Sequence, residues 1–107
     1  MGDKDARFSE SVGTLAAEVV DVLAPLGDVR WKKMFGGAGI FLEDHMFGLI
    51  DAHAQLHLKV GDDNRERFER AGSVKHARMP YYTVPDVVVQ DDARLLEWAR
   101  ASAALAT

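Results

Sequence analysis

The chain has 107 residues, enough for one hydrophobic core and too few for two, with 28% charged and 48% hydrophobic residues, the balance of a globular protein. Thirteen Lys and Arg against seventeen Asp and Glu give a net charge of −4, which opposes attraction to a phosphate backbone, so direct nucleic-acid binding is not expected. The absence of cysteine excludes disulfides, thiolate nucleophiles and cysteine-bound metal centres.

No apolar run reaches the roughly 20 residues that span a bilayer. The mixed charges of Met1 to Arg7 are unlike a secretory signal. The sequence is therefore expected to be a single domain over residues 1–107, cytoplasmic and not bound to a membrane.

From Phe8 to Leu23 apolar residues recur at three- and four-residue steps, through Val12, Leu15, Ala16 and Val19. That spacing predicts a helix with one buried face, capped by Ser9 or Ser11 and ended by Pro25 and Gly27. Val29 to Met34 then alternates, with Val29 and Trp31 facing inward and Arg30 and Lys32 facing water, until the pattern breaks at Lys33-Met34. A bulge or strand end is expected there, before a tight turn at Phe35, Gly36, Gly37 and Gly39.

Ala38 to Leu42, Met46 to Ile50 and Leu56 to Val60 read as three more strands with short connections, and so as antiparallel neighbours. In the last of them His57 and Lys59 are expected on a solvent face. Gly61-Asp62-Asp63 starts a short helix that is anchored by Phe68 and ends at Gly72. Tyr81 to Val84 predicts an edge strand after Pro80, and Asp86 to Gln90 a connector or single turn. Asp91-Asp92 caps a final helix whose inner side carries Leu95, Trp98, Ala99, Ser102 and Ala103, with Trp98 as a buried anchor. The expected fold is α+β, a two-layer sandwich of order α-β-β-β-β-α-β-α with helices packed on a mainly antiparallel sheet.

No motif of useful specificity assigns a catalytic, cofactor-binding or metal-ligating residue. Gly36-Gly37-Ala38-Gly39 follows a strand and three cations but precedes another strand. Phosphate loops need a helix N-terminus there, so the run reads as a structural turn. Asp51, His53 and His57 share a face only if their connector is regular strand, and the ordinary reading is solvated polar residues. His45 beside Asp44 belongs to a turn. Arg30, Lys32 and Lys33 around Trp31 read first as a solvated strand face and, as the alternative, as a basic patch for an acidic protein partner. Tyr81 and Tyr82 on an edge strand place one ring inward and one outward, ordinarily a partly buried surface tyrosine and alternatively a free edge for β-pairing, including with a second copy.

An ordered series of blocks runs along most of the chain: Leu26-Gly27-Asp28-Val29-Arg30, Lys33-Met34-Phe35-Gly36-Gly37-Ala38-Gly39-Ile40-Phe41 and Met46-Phe47-Gly48-Leu49-Ile50. It continues with Leu58-Lys59-Val60, Asn64 to Phe68 with Ala71-Gly72, Met79-Pro80-Tyr81-Tyr82 with Val84-Pro85, and Leu95 to Ala99. In this order the blocks resemble the N-terminal domain of the TfoX/Sxy family, which is named for regulators of competence genes. The resemblance implies the two-layer fold and brings no catalytic residues or cofactor. Longer members carry a second, helical domain and act as coactivators with transcription factors. Because this sequence ends at Thr107, the expectation is a stand-alone, non-enzymatic interaction module whose partner is a protein of the transcription machinery or a second copy. The alternative from another class is a small-molecule- or metal-binding domain, with or without enzymatic chemistry, using a pocket near Gly36-Gly37.

Overall fold

In a computed structural model, which describes residues 9–107, five strands form one antiparallel sheet in sequence order β1-β2-β3-β4-β5. They are β1 (Val29–Met34), β2 (Gly37–Leu42), β3 (His45–Ile50), β4 (Leu56–Lys59) and β5 (Tyr81–Thr83). Helices α1 (Glu10–Val22), α2 (Arg65–Arg70), α3 (Asp86–Val89) and α4 (Asp92–Ala106) complete the α+β fold. Phe8, expected on the face of α1, and the residues before it lie outside the described residues. Among the described residues no helix is long and apolar enough to cross a membrane.

Helix α1 begins where Ser9 Oγ accepts from the Val12 amide at 3.3 Å. It buries Val12, Ala16 and Val19, and a single 3₁₀ turn over Ala24–Leu26 containing Pro25 leads out of it. Helix α1 packs on β1 and β2, and α4 on β3 and β4, so one sheet face is covered by helices. Between the layers lie Ile40, Phe47, Ile50, Leu56, Leu58, Phe68 and Leu95, each about 1% exposed or less. Burying such side chains is the main force holding the layers together.

Several local features differ from the sequence reading. Register between β1 and β2 runs unbroken to Met34 opposite Gly37, so of the two expected alternatives at Lys33-Met34 it is the strand end, and not a bulge, that the fold realises. The irregularity sits between β2 and β3, where Ile40 opposes Gly48 but Phe41 opposes Met46. Phe47 is therefore the extra residue, and it is fully buried. Helix α2 begins later than its acidic lead-in implied, because Asn64 and not an aspartate organises the turn: its Oδ1 accepts from the Gly61 amide at 2.8 Å. Trp98 is only partly buried, its ring edge-on to Phe68 at 4.8 Å and beneath the Arg67 guanidinium at 5.1 Å.

The edge expected at Tyr81 and Tyr82 is not free. Backbone bonds from His76 to the Tyr81 carbonyl (2.7 Å) and from Thr83 to the Val74 carbonyl (3.0 Å) lay the preceding segment along β5. Tyr81 is 5% exposed, and Tyr82 packs against the core near Phe68. Tyr81 is closed off from solvent, and Tyr82 keeps only part of its surface exposed.

Candidate functional site

The candidate site lies on the sheet face away from the helices. Strand alternation places Arg30, Lys32 and Met34 of β1 on it, with Gly37, Gly39 and Phe41 of β2. The segment from Val74 to Met79 lies beside β5, and its His76 and Met79 join Met34, Met46, Leu49 and Ile50 around a cavity of about 330 Å³. Asp51, Ala52 and His53 close one side and Phe35 stands at the rim.

Two glycines shape this face. A Cβ on Gly39 would meet the Met34 and Met46 sulfurs and the Phe41 ring, so three flexible or flat side chains close over a bare backbone. Phe35 and Gly36, with φ of 49° and 80°, are the two central residues of the hairpin turn. Positive φ at both is what a two-residue β-turn of matching twist demands, and Asn-Gly is the usual solution. Here the first position is a phenylalanine, 96% exposed. The expected four-residue turn is thus two residues long, and Gly37 and Gly39 are strand residues retained for close approach.

The basic patch is present in part. Arg30, Lys32 and Lys33 are all exposed, but alternation puts Lys33 on the side of Trp31, away from the other two. Asp28 bonds Arg30 at 3.1 Å and, by that hydrogen bond and its charge, raises the guanidinium above its ordinary pKa. The Lys32 ammonium sits 5.1 Å from the centre of the Phe41 ring.

Next to the cavity, Asp51, His57 and His76 each present a potential donor atom, all within 4.8 Å of one another. Asp51 follows β3, where its Oδ1 accepts from the amides of His53 (2.9 Å) and Gln55 (3.0 Å). His57 was expected on a solvent face. Instead it is 3% exposed, because the Val74 to Met79 segment covers that half of the sheet and sets the His76 ring edge-on to it at 4.8 Å. Its Nδ1 lies 3.0 Å from the Gln55 carbonyl, which can only accept, so Nδ1 carries the proton and the lone pair stands on Nε2. Burial is the main cause that lowers the His57 pKa, with the nearby His76 adding to it. His53, grouped with Asp51 and His57 by even spacing, is an exposed turn residue on the cavity wall. His76 takes its place, a pairing that comes from the fold of a loop nineteen residues downstream and leaves no trace in strand periodicity.

A family model described as the TfoX N-terminal domain matches residues 21–106. The chain is also 29% identical, over 102 residues, to DNA transformation protein TfoX1 of Aliivibrio fischeri (strain ATCC 700601 / ES114). That match covers 94% of this chain and 48% of the relative, so the chain spans about half the length of the curated protein it matches.

Proposed function

We propose that this chain, which belongs to the TfoX N-terminal domain family, is a regulatory module without chemistry of its own that binds a protein partner through the tip and open face of its β1–β2 hairpin. The observation that carries this reading is Phe35. A non-glycine residue at positive φ costs about 1–2 kcal/mol, and an aromatic ring left in water gains nothing from burial. A sequence selected for stability alone places Asn there. Strained and exposed positions of this kind cluster at binding sites, and aromatic anchors dominate binding energy when a partner covers them.

The surroundings support a protein ligand. Met34, Met46 and Met79 offer soft, adaptable side chains of the type used on surfaces that repack around a partner. Lys32 and Arg30 flank them on the same face and favour a partner with acidic residues at the rim. The relative's name points to DNA transformation as the process, and the resemblance to competence regulators points to a component of the transcription apparatus as the partner.

The test is capture from cells of the source with wild-type and Phe35→Asn chains side by side. The reading requires that a transcription component be enriched by the first, lost with the second, and rebound directly when purified. A chain that captures the same proteins with and without Phe35 contradicts it. A second reading, that the cavity holds a small apolar ligand, is favoured by the cavity's position beside the turn; native mass spectrometry of the purified chain separates the two.

A further inference from the structure

We propose that Asp51, His57 and His76 form a binding site for one divalent transition cation of the zinc class. The proposal is independent of the protein-binding reading and rests on three observations. The first is composition: two imidazoles and a carboxylate are the donors that borderline divalent ions such as Zn²⁺ select, whereas Mg²⁺ and Ca²⁺ prefer all-oxygen sites.

The second is proximity. The three donor atoms lie within 4.8 Å of one another. Donors about 2.0–2.2 Å from a tetrahedral zinc are themselves roughly 3.4 Å apart. Closing the remaining gap takes side-chain rotation, since Asp51 and His76 are only partly buried while His57 is fixed.

The third is support behind the ligands. The Gln55 carbonyl holds the proton on His57 Nδ1 and leaves Nε2 to coordinate, the arrangement by which metal-binding histidines are commonly oriented. The His53 and Gln55 amides engage only Oδ1 of Asp51, so its Oδ2 is not used by those bonds. The backbone of His76 is pinned as well, its amide donating to Tyr81 and its carbonyl accepting from Met79. The β3–β4 connection, β4 and a segment nineteen residues beyond His57 thus converge on one point.

Three protein ligands leave a tetrahedral ion with one open position. Asp51 and His76 also line the cavity, so that position lies on the cavity side, where water or a ligand's donor atom completes the shell. A bound ion would also tie the His76 segment to the sheet, coupling metal occupancy to the shape of the cavity.

The experiment uses the full chain without an affinity tag, titrated with Zn²⁺ by calorimetry and with Co²⁺ by visible absorption. The expected result is saturable binding of one ion per chain, with the intense Co²⁺ band of a four-coordinate site. His57 is buried and its removal can unfold the chain, so the decisive variants are Asp51→Asn and His76→Ala. Each should retain a cooperative thermal transition and weaken binding by about tenfold or more, while His53→Ala stays within about twofold. Binding that does not saturate, or that matches wild type in Asp51→Asn and His76→Ala, overturns the proposal. A tenfold loss in His53→Ala overturns the donor assignment.

Discussion

The bare α-carbon of Gly37 faces the carbonyl oxygen of Ile50 so closely that a Cβ on Gly37 would overlap it. That carbonyl belongs to the neighbouring strand and cannot swing aside. At Gly39 the obstacles are the sulfurs of Met34 and Met46 and the edge of the Phe41 ring, of which the thioethers can move. Gly37→Ala should therefore cost about 3 kcal/mol or more and Gly39→Ala about 1 kcal/mol, at the two ends of the overpacking range. Urea denaturation of both variants checks the order; equal losses would mean that β2 shifts as a unit.

Tyr81 donates its hydroxyl to the Met46 carbonyl at 3.2 Å from a buried position. Tyr81→Phe should cost about 1 kcal/mol at neutral pH. Burial raises the Tyr81 pKa, so as pH climbs the unfolded chain ionises this phenol before the folded chain does. The stability it contributes is full below about pH 10 and declines as pH rises toward the folded value. Urea midpoints at about pH 8 and about pH 10.5 should fall less in Tyr81→Phe than in wild type. Identical declines would contradict the shift.

Asn64 and Ser102 join three elements at the end of β4. Asn64 accepts from Gly61 and donates to the Lys59 carbonyl (3.0 Å), to which Ser102 also donates at 2.7 Å, and the two side chains meet at 3.4 Å. Asn64→Ala strands the Gly61 amide and should cost about 2–3 kcal/mol. Ser102→Ala leaves Lys59 its bond from Asn64 and should cost about 1 kcal/mol. Because they share an acceptor, the double variant should depart from the sum of the two, which chemical denaturation of the cycle reads directly.

Phe68 and Trp98 meet edge to face, but only Phe68 is fully buried. Phe68→Ala should lose about 3–5 kcal/mol and Trp98→Ala about 2 kcal/mol. A larger loss at Trp98, measured by the same unfolding curves, would place the ring deeper in the core than the structure does.

The order of elements was legible because each carries a strong local signal. Alternation marks β1 and β4, proline and glycine end α1, and aspartates cap α4. What failed were positions where one local signal has two physical causes. Gly36 and Gly37 read alike in sequence, yet Gly36 serves the turn through positive φ and Gly37 serves strand packing through its missing side chain. His57 reads as solvated because it alternates with Leu56 and Leu58, whereas its burial comes from a segment that crosses it nineteen residues later. The site was legible only in part for the same reason. Phe35 and the cations lie in one contiguous stretch, but the Asp51–His57–His76 cluster and the methionine-lined cavity exist only after the chain folds.

On the function proposed above, Phe35 is kept for a partner at the expense of the fold. Phe35→Asn replaces a strained residue by one that favours the left-handed turn, and it should leave the unfolding temperature unchanged or raise stability by about 1 kcal/mol. The most direct measurement is the Kd of the captured transcription component for wild-type and Phe35→Asn chains, with thermal unfolding of both recorded in parallel. Binding weakened tenfold or more in a variant at least as stable as wild type is the result expected. Equal affinity for the two chains, or a variant that loses binding only because it unfolds, would show that Phe35 is not a binding anchor.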